Sequence, residues 1–564
     1  MQIILKKNMK KLITSTLIIC SLLIACNNNG QTTSSNSSSS SSNDDSNGNG
    51  SEKEKKITKR DWSVTKENAY NDIFFDSSKL EKFIADNKVP DSLSRRLRSF
   101  YNARNYQFAW FSTHGLTEQA LTFWNIHNYE ASTGDTTYKN PALQKKMDGM
   151  VEDSNFTENA LDRSMIGTEL LLTEYFIRYT LDNYEKGYVK RKEMERFIPI
   201  KKEDPITLAD SLLNKKHKDD KYFENVNNAY KLLKDELSRY VTISKNGGWQ
   251  TIPGDAKQFK KGSSSPAILL LKKRLQLAGY MPEGDTSKNY NDSLVQGIQQ
   301  AQKSFGYKPD GILGASLLKD LNVPVQKRIE NILINMNRMR WMPQEPEGRL
   351  ILVNIPEFVL HLFERKNKVF DMNVVVGKEG HNTMMFTGKL STVVFSPYWN
   401  VPPSIVKKEI LPAIARNPNY LAKENMEITG NEGGLPVIRQ LPGEKNSLGK
   451  VKFLFPNNFN IYFHDTPAKN LFNQDKRAYS HGCIRISEPQ KMAEYLLKDN
   501  SEWTTDKIVE AMNSGVEKFV KVKDPVPVFI TYYTAWVDEN GLLNFRDDIY
   551  RRDAIVMQKM FALK

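Results

Sequence analysis

Apolar residues change their spacing along this chain, and the changes divide it. From about residue 61 to 257 they recur three and four apart: Leu80, Phe83 and Ile84; Leu93, Leu97, Phe100 and Tyr101; Leu171, Leu172, Tyr175, Phe176 and Tyr179. Because an α-helix takes 3.6 residues per turn, each set lies on one face and predicts a helix that buries it. No motif with chemistry falls in this stretch, which reads as a helical scaffold. Between 258 and 323 the stripes shorten. Ala267, Leu270, Leu271 and Leu275 make one helix, ended by Gly279. Leu294, Ile298, Ala301 and Phe305 make a second, with Asn291, Asp292 and Ser293 as candidate caps, and a turn at Asp310–Gly311 leads to a third around Leu317, Leu318 and Leu321.

From Arg349 onward branched and aromatic residues cluster in short runs, which predicts strands. Residues 349–355, 358–363 and 369–376 are the first three, the last two joined at Lys366-Asn367-Lys368 as a hairpin. Thr392–Phe395, Val451–Phe455, Ile461–His464 and Val526–Val537 follow, with a helix at Lys491–Leu497 and a hairpin turn at Asp538–Gly541. The expected fold is multi-domain α+β: leader 1–25, tether 26–60, helical scaffold 61–257, three-helix unit 258–323, linker 324–347 and β-rich domain 348–556.

The leader places the body outside the cytoplasm. Lys6, Lys7, Lys10 and Lys11 precede an apolar run, residues 12–24, too short to span a membrane comfortably. It closes on Leu23-Ile24-Ala25-Cys26, which resembles a bacterial lipobox; the resemblance implies lipidation at Cys26 and a periplasmic protein anchored to a membrane. Residues 27–51, mostly Asn, Ser and Gly, read as a flexible tether. The 564-residue chain carries +14, or +10 without the leader lysines. Its lysines are interleaved with acids and form no basic–aromatic cluster, which argues against nucleic acid and is compatible with an acidic polymer such as cell wall.

Of three cysteines, Cys20 and Cys26 belong to the N-terminal export segment, so the body keeps one thiol, Cys483, in Tyr479-Ser480-His481-Gly482-Cys483-Ile484-Arg485. A lone thiol in an oxidising compartment has no internal disulfide partner and is exposed to oxidation, which favours a chemical role over a small buried hydrophobe. His464, in Tyr462-Phe463-His464-Asp465-Thr466-Pro467, can take the thiol proton and leave a thiolate–imidazolium pair as the nucleophile. Gly482 lets backbone approach a substrate closely, and amides around Gly482 and Cys483 are candidate oxyanion donors. His464, His481 and Cys483 lack the further ligands of a recognisable zinc set, so no zinc site is expected there.

The stretch His464 to Arg485, with fifteen residues between His464 and Ser480, resembles the active-site signature of the L,D-transpeptidases. Arg485 stands where many members carry Asn, as in the large multi-domain Gram-negative forms. Residues 337–343, 397–402, 439–443 and 452–457 resemble those large forms too, while Thr383-Met384 departs from a usual Thr-Pro. Residues 258–323, with Tyr290, Gln302, Gly306, Asp310-Gly311 and Gly314, resemble a peptidoglycan-binding-like domain, with Ala301 and Ser316 as departures.

That resemblance implies a β-rich catalytic domain, peptidoglycan stem peptides as partner and substrate, and no cofactor. Cys483 would attack a tetrapeptide stem after its third residue, expel the terminal D-alanine and pass the acyl group to the side-chain amine of a neighbouring stem. It also implies that the Asp465 carbonyl orients His464, with the Asp465 carboxylate structural. His481 and Arg485 either contact substrate or brace the loop; Ser480, Tyr462, Trp399 and Asn400 are further candidate lining residues. The segment from Pro402 to Val451 is either a flap over the cleft or a surface insertion. Water as acceptor, giving a carboxypeptidase, and an inactive wall-binding lipoprotein remain as alternatives.

Overall fold

Short polar side chains start the helices of the first half. Asp76 accepts the Ser78 amide ahead of the Ser77–Asp86 helix, and Asp204, followed by Pro205, accepts those of Ile206 and Thr207. The computed structural model describes residues 57–133, 140–152, 163–183, 197–214, 228–343 and 345–562; the expected leader, Cys26 and the tether up to residue 56 lie outside them. Helices Asp91–Ala103 and Arg163–Asn183 turn the predicted faces inward, burying Leu93, Leu97, Phe100, Tyr101, Leu172 and Phe176. A hairpin of β1 (Phe111–Ser112) and β2 (Gly115–Leu116) leads into the Glu118–Thr133 helix. Among the described residues, no helix is long and apolar enough to cross a membrane.

The three-helix unit forms as Pro266–Leu277, Asp292–Ser304 and Ala315–Leu321. Ser265 and Asn291 cap the first two by accepting the amides of Ile268 and Leu294. Its core is continuous with that of the scaffold.

Residues 324–347, expected as a linker, are instead largely a helix, Val325–Arg340, in which every residue from Ile332 to Arg340 is buried. A linker must be solvated; this segment is held inside because its polar side chains find partners there. Arg338 reaches Glu118 at 2.6 Å and Asp553 at 2.5 Å, and Asn335 donates to Thr534. The helix therefore ties scaffold to C-terminal segment.

The β-rich half is built on β3 (Arg349–Asn354), β4 (Val359–Glu364), β5 (Asn367–Gly377) and β6 (Phe386–Phe395), then β7 (Trp399–Asn400), β8 (Met426–Glu432) and β9 (Leu435–Gln440). β10 (Val451–Leu454), β11 (Phe463–His464), β12 (Ala478–Ser480), β13 (Ile484–Ile486), β14 (Lys518–Thr531), β15 (Ala535–Val537) and β16 (Leu543–Phe545) complete it. Pairings run β5–β13–β11–β10–β6–β14–β3–β4 and return to β5, so the sheet closes on itself, with β12 on the edge of β5. Val374, Val376, Val393, Phe453, Phe463, Ile484 and Ile486 fill one face together with helices Pro489–Leu497 and Thr505–Asn513. Both expected hairpins form, β4–β5 and β15–β16.

Two strands differ from expectation. Val526–Val537 is split: β14 starts at Lys518, bulges between Lys521 and Val526, and ends at Thr531. The break follows because Asn354 and Asn335 side chains accept the Tyr533 and Thr534 amides, taking them from any ladder. Ile461–His464 shortens to β11 because the Asn457 side chain binds both backbone groups of Ile461. Residues between Pro402 and Val451 fold rather than loop. Helical turns from Pro403 to Lys423, including a π-helical turn Val406–Ile410, pack with the β7–β9–β8 sheet around Val401, Ile405, Val406, Ile410 and Ile438.

Candidate active site

β11 and β13 run parallel, and their register sets His464 beside Arg485, two residues after Cys483. Cys483 itself sits just before β13 in the turn from β12, and so projects from the rim of the barrel. Gly482 has φ +115°, a conformation L side chains rarely adopt, and no added Cβ would meet anything nearer than 3.9 Å. Glycine is required there by backbone conformation, not by crowding.

The turn is braced from within. Ser480 Oγ accepts the Gly482 amide at 3.1 Å and donates to the Cys483 carbonyl at 2.5 Å. Ser480, expected at the substrate, is thus buried with its hydroxyl committed to the turn. The Gly482 amide, expected as an oxyanion donor, is likewise occupied, which leaves the Cys483 amide as the donor without a protein acceptor among the described residues.

His464 is buried and donates from Nδ1 to the Asp465 carbonyl at 2.5 Å. That bond puts the proton on Nδ1 and leaves the Nε2 lone pair free to act as a base. The Asp465 carboxylate serves the local frame, accepting from Thr466 N, Lys450 N and Lys469 Nζ. Burial, with the Arg485 cation adding to it and the Asp465 carbonyl opposing, pushes the imidazole down to about 3.

Cys483 is half-buried and points its thiol at the Asn460 carbonyl, 3.5 Å away. Burial raises its pKa above the ordinary value, although hydrogen bonds from Tyr462 and the charge of Arg485 work the other way. Desolvation thus favours the neutral form of each group, thiol and imidazole, before any proton transfer.

Burial, with the Cys483 thiol beside it, pushes the Tyr462 phenol up. Arg485 is half-buried, and its Nε has no hydrogen-bond partner. His481 is more exposed and turns away to Glu409 of the insertion at 2.8 Å, its ring edge-on to His381 at 4.8 Å. Trp399 and Asn400 pair with Gln440 and Arg439 in the insertion sheet, where Trp399 packs on the insertion's own apolar cluster. Glu409, His381 and Asn460 carry no sequence signal, since each reaches the turn from a separate segment. Among the described residues no group of three His, Cys, Asp or Glu side chains is placed to hold a metal.

Residues 348–528 match the family model of the L,D-transpeptidase catalytic domain, residues 264–321 that described as "Putative peptidoglycan binding domain", and residues 95–237 a scaffold domain. A Haemophilus influenzae protein named "Putative L,D-transpeptidase" is 32% identical over 240 residues, which covers 40% of this chain and 48% of that protein. The chain thus spans about half the length of the curated relative it matches. Solved L,D-transpeptidases from Stackebrandtia nassauensis and Xylanimonas cellulosilytica are each 14% identical. The first covers 49% of this chain and 97% of its own (TM-score 0.20), the second 49% and 98% (TM-score 0.16). Within this multi-domain α+β chain, the barrel that presents Cys483 is thus similar to the L,D-transpeptidase catalytic domain, and the three-helix unit before it to a putative peptidoglycan-binding domain.

Proposed function

We propose that the chain forms peptidoglycan cross-links as an L,D-transpeptidase, through a thioester on Cys483, at the cell envelope. The observation that carries this reading is, inside a matched catalytic domain, a half-buried thiol on a glycine turn leading into β13 and, on the adjacent strand β11, a buried histidine whose Nδ1 is committed to a carbonyl. A neutral imidazole is the state that accepts a proton. As a stem peptide binds, the thiol proton passes to His464 Nε2 and Sγ bonds to the carbonyl carbon. The Cys483 amide faces the oxyanion; one such donor is worth roughly 3 kcal/mol of barrier. Collapse expels the terminal amino acid, which takes the proton back from His464. The acceptor amine then attacks the thioester, gives up a proton through His464 and restores the thiol.

Tyr462 and Arg485 line the nucleophile, and Arg485, with an unpartnered Nε, suits a stem-peptide carboxylate. The contact between the folded insertion and the turn, Glu409 with His481, supports a role for the insertion in shaping the acceptor side. The lipobox-like Cys26 supports a membrane anchor.

The test is to incubate the protein with purified disaccharide-tetrapeptides and identify products by mass. Cross-linked dimers are expected, and Cys483→Ala and His464→Ala proteins, still folded, should yield none. Tripeptide alone at high acceptor concentration would replace transfer by carboxypeptidase activity, and product from folded Cys483→Ala would end the cysteine mechanism.

A further inference from the structure

The catalytic turn is held by a chain of hydrogen bonds that reaches beyond the matched catalytic domain. Thr383, fully buried in the loop after β5, donates its hydroxyl to the Gly482 carbonyl at 2.8 Å and accepts the Gly377 amide at 2.9 Å. Its own amide donates to the Tyr550 hydroxyl at 3.3 Å, and Tyr550 donates onward to the Gly377 carbonyl at 2.6 Å. Each hydroxyl thus spends its one proton and accepts one, so the network is satisfied throughout. Tyr550 lies past residue 528, where the match to the catalytic domain ends. It is stacked on Tyr532 and precedes by three residues Asp553, which pairs with Arg338.

The Gly482 carbonyl and the Cys483 amide belong to one planar trans peptide unit, so they point in opposite directions. Holding the carbonyl toward Thr383 therefore aims the Cys483 N–H the other way, out of the turn. Glycine at φ +115° offers little resistance to rotation of that unit. Without an external hold, the amide direction is weakly defined.

We propose that Thr383 and Tyr550 are positioning residues that aim the Cys483 amide as the oxyanion donor. The idea rests on a cysteine nucleophile attacking a carbonyl, as in the function proposed above, but not on which carbonyl compound is the natural substrate.

Two reagents separate this role from simple support of the fold. p-Nitrophenyl acetate acylates a thiol through a tetrahedral oxyanion; iodoacetamide alkylates it by direct displacement, with no oxyanion. Both rates are read by mass on the peptide bearing Cys483, in the full chain, with unfolding temperatures recorded alongside. Thr383→Val is expected to slow acylation about 100-fold relative to alkylation, the scale of losing one oxyanion donor. Tyr550→Phe should slow it about tenfold, a smaller effect because it acts through Thr383. Thr383→Ser, which keeps the hydroxyl, should stay close to the parent. Equal slowing of both reagents, or slowing of neither, in folded Tyr550→Phe or Thr383→Val overturns the proposal. If the parent is acylated by the ester yet leaves stem peptides untouched, the substrate assignment fails while this inference stands.

Discussion

Replacing Gly482 with alanine isolates what the turn contributes. A Cβ there would find the His381 and Asn382 carbonyl oxygens at 3.9 Å, an ordinary contact, so the cost is conformational. Holding an L residue at φ +115° costs about 1–3 kcal/mol. The bonds that hold the Gly482 peptide in place come from Ser480 and Thr383, each worth about 1 kcal/mol net. Strain and restraint are of one size, so the turn is expected to relax locally. Relaxation displaces Sγ and the Cys483 amide, and a misplacement of about 1 Å at a reacting centre costs about 100-fold in turnover. Gly377→Ala provides the contrast: its Cβ would lie 2.0 Å from the His381 carbonyl oxygen and 2.9 Å from Thr383 N, so backbone must move. Cross-linking kinetics and calorimetry on both variants give the test. Gly482→Ala should lose turnover with an unfolding temperature a few degrees lower at most, and Gly377→Ala should fall much further. Wild-type turnover in Gly482→Ala, or equal loss of stability in the two, refutes the reasoning.

Two further outcomes follow from burial. Because desolvation raises the Cys483 thiol, iodoacetamide alkylation should still be climbing above pH 9, and Arg485→Gln, which removes a cation favouring the thiolate, should move the profile higher; a plateau near neutral pH would show a preformed thiolate instead. In the scaffold, burial pushes Glu169 up to about 7 despite hydrogen bonds from Ala109, Trp110 and Tyr101. Its contribution is complete below about pH 4.5 and lost as pH rises through 7, about 3 kcal/mol across that window, so urea titrations should show stability falling with pH, and Glu169→Gln should flatten the slope.

Much of this was legible in one dimension. Leu93, Leu97, Phe100 and Tyr101 recur at helical spacing because a buried helix face demands it, and the strand-like runs after Arg349 formed strands for the same kind of reason. The Cys483 and His464 signature is local too: a glycine turn and a strand end are written in neighbouring residues, and residues 348–528 indeed match the catalytic domain it resembles. Residues 325–340 misled because a polar helix reads as linker until Glu118 and Asp553, far away in sequence, arrive to neutralise Arg338.

Sequence by itself determined most of the elements, the likeness to the catalytic domain and the identity of its one thiol, since periodicity and turn chemistry act between near neighbours. Tertiary structure alone decided the desolvation of that thiol and of His464, the commitment of Ser480 to the turn and the hold of Thr383 and Tyr550 on Gly482. Desolvation and buried hydrogen bonds depend on which distant segments close around a group, and no spacing along the chain encodes that enclosure.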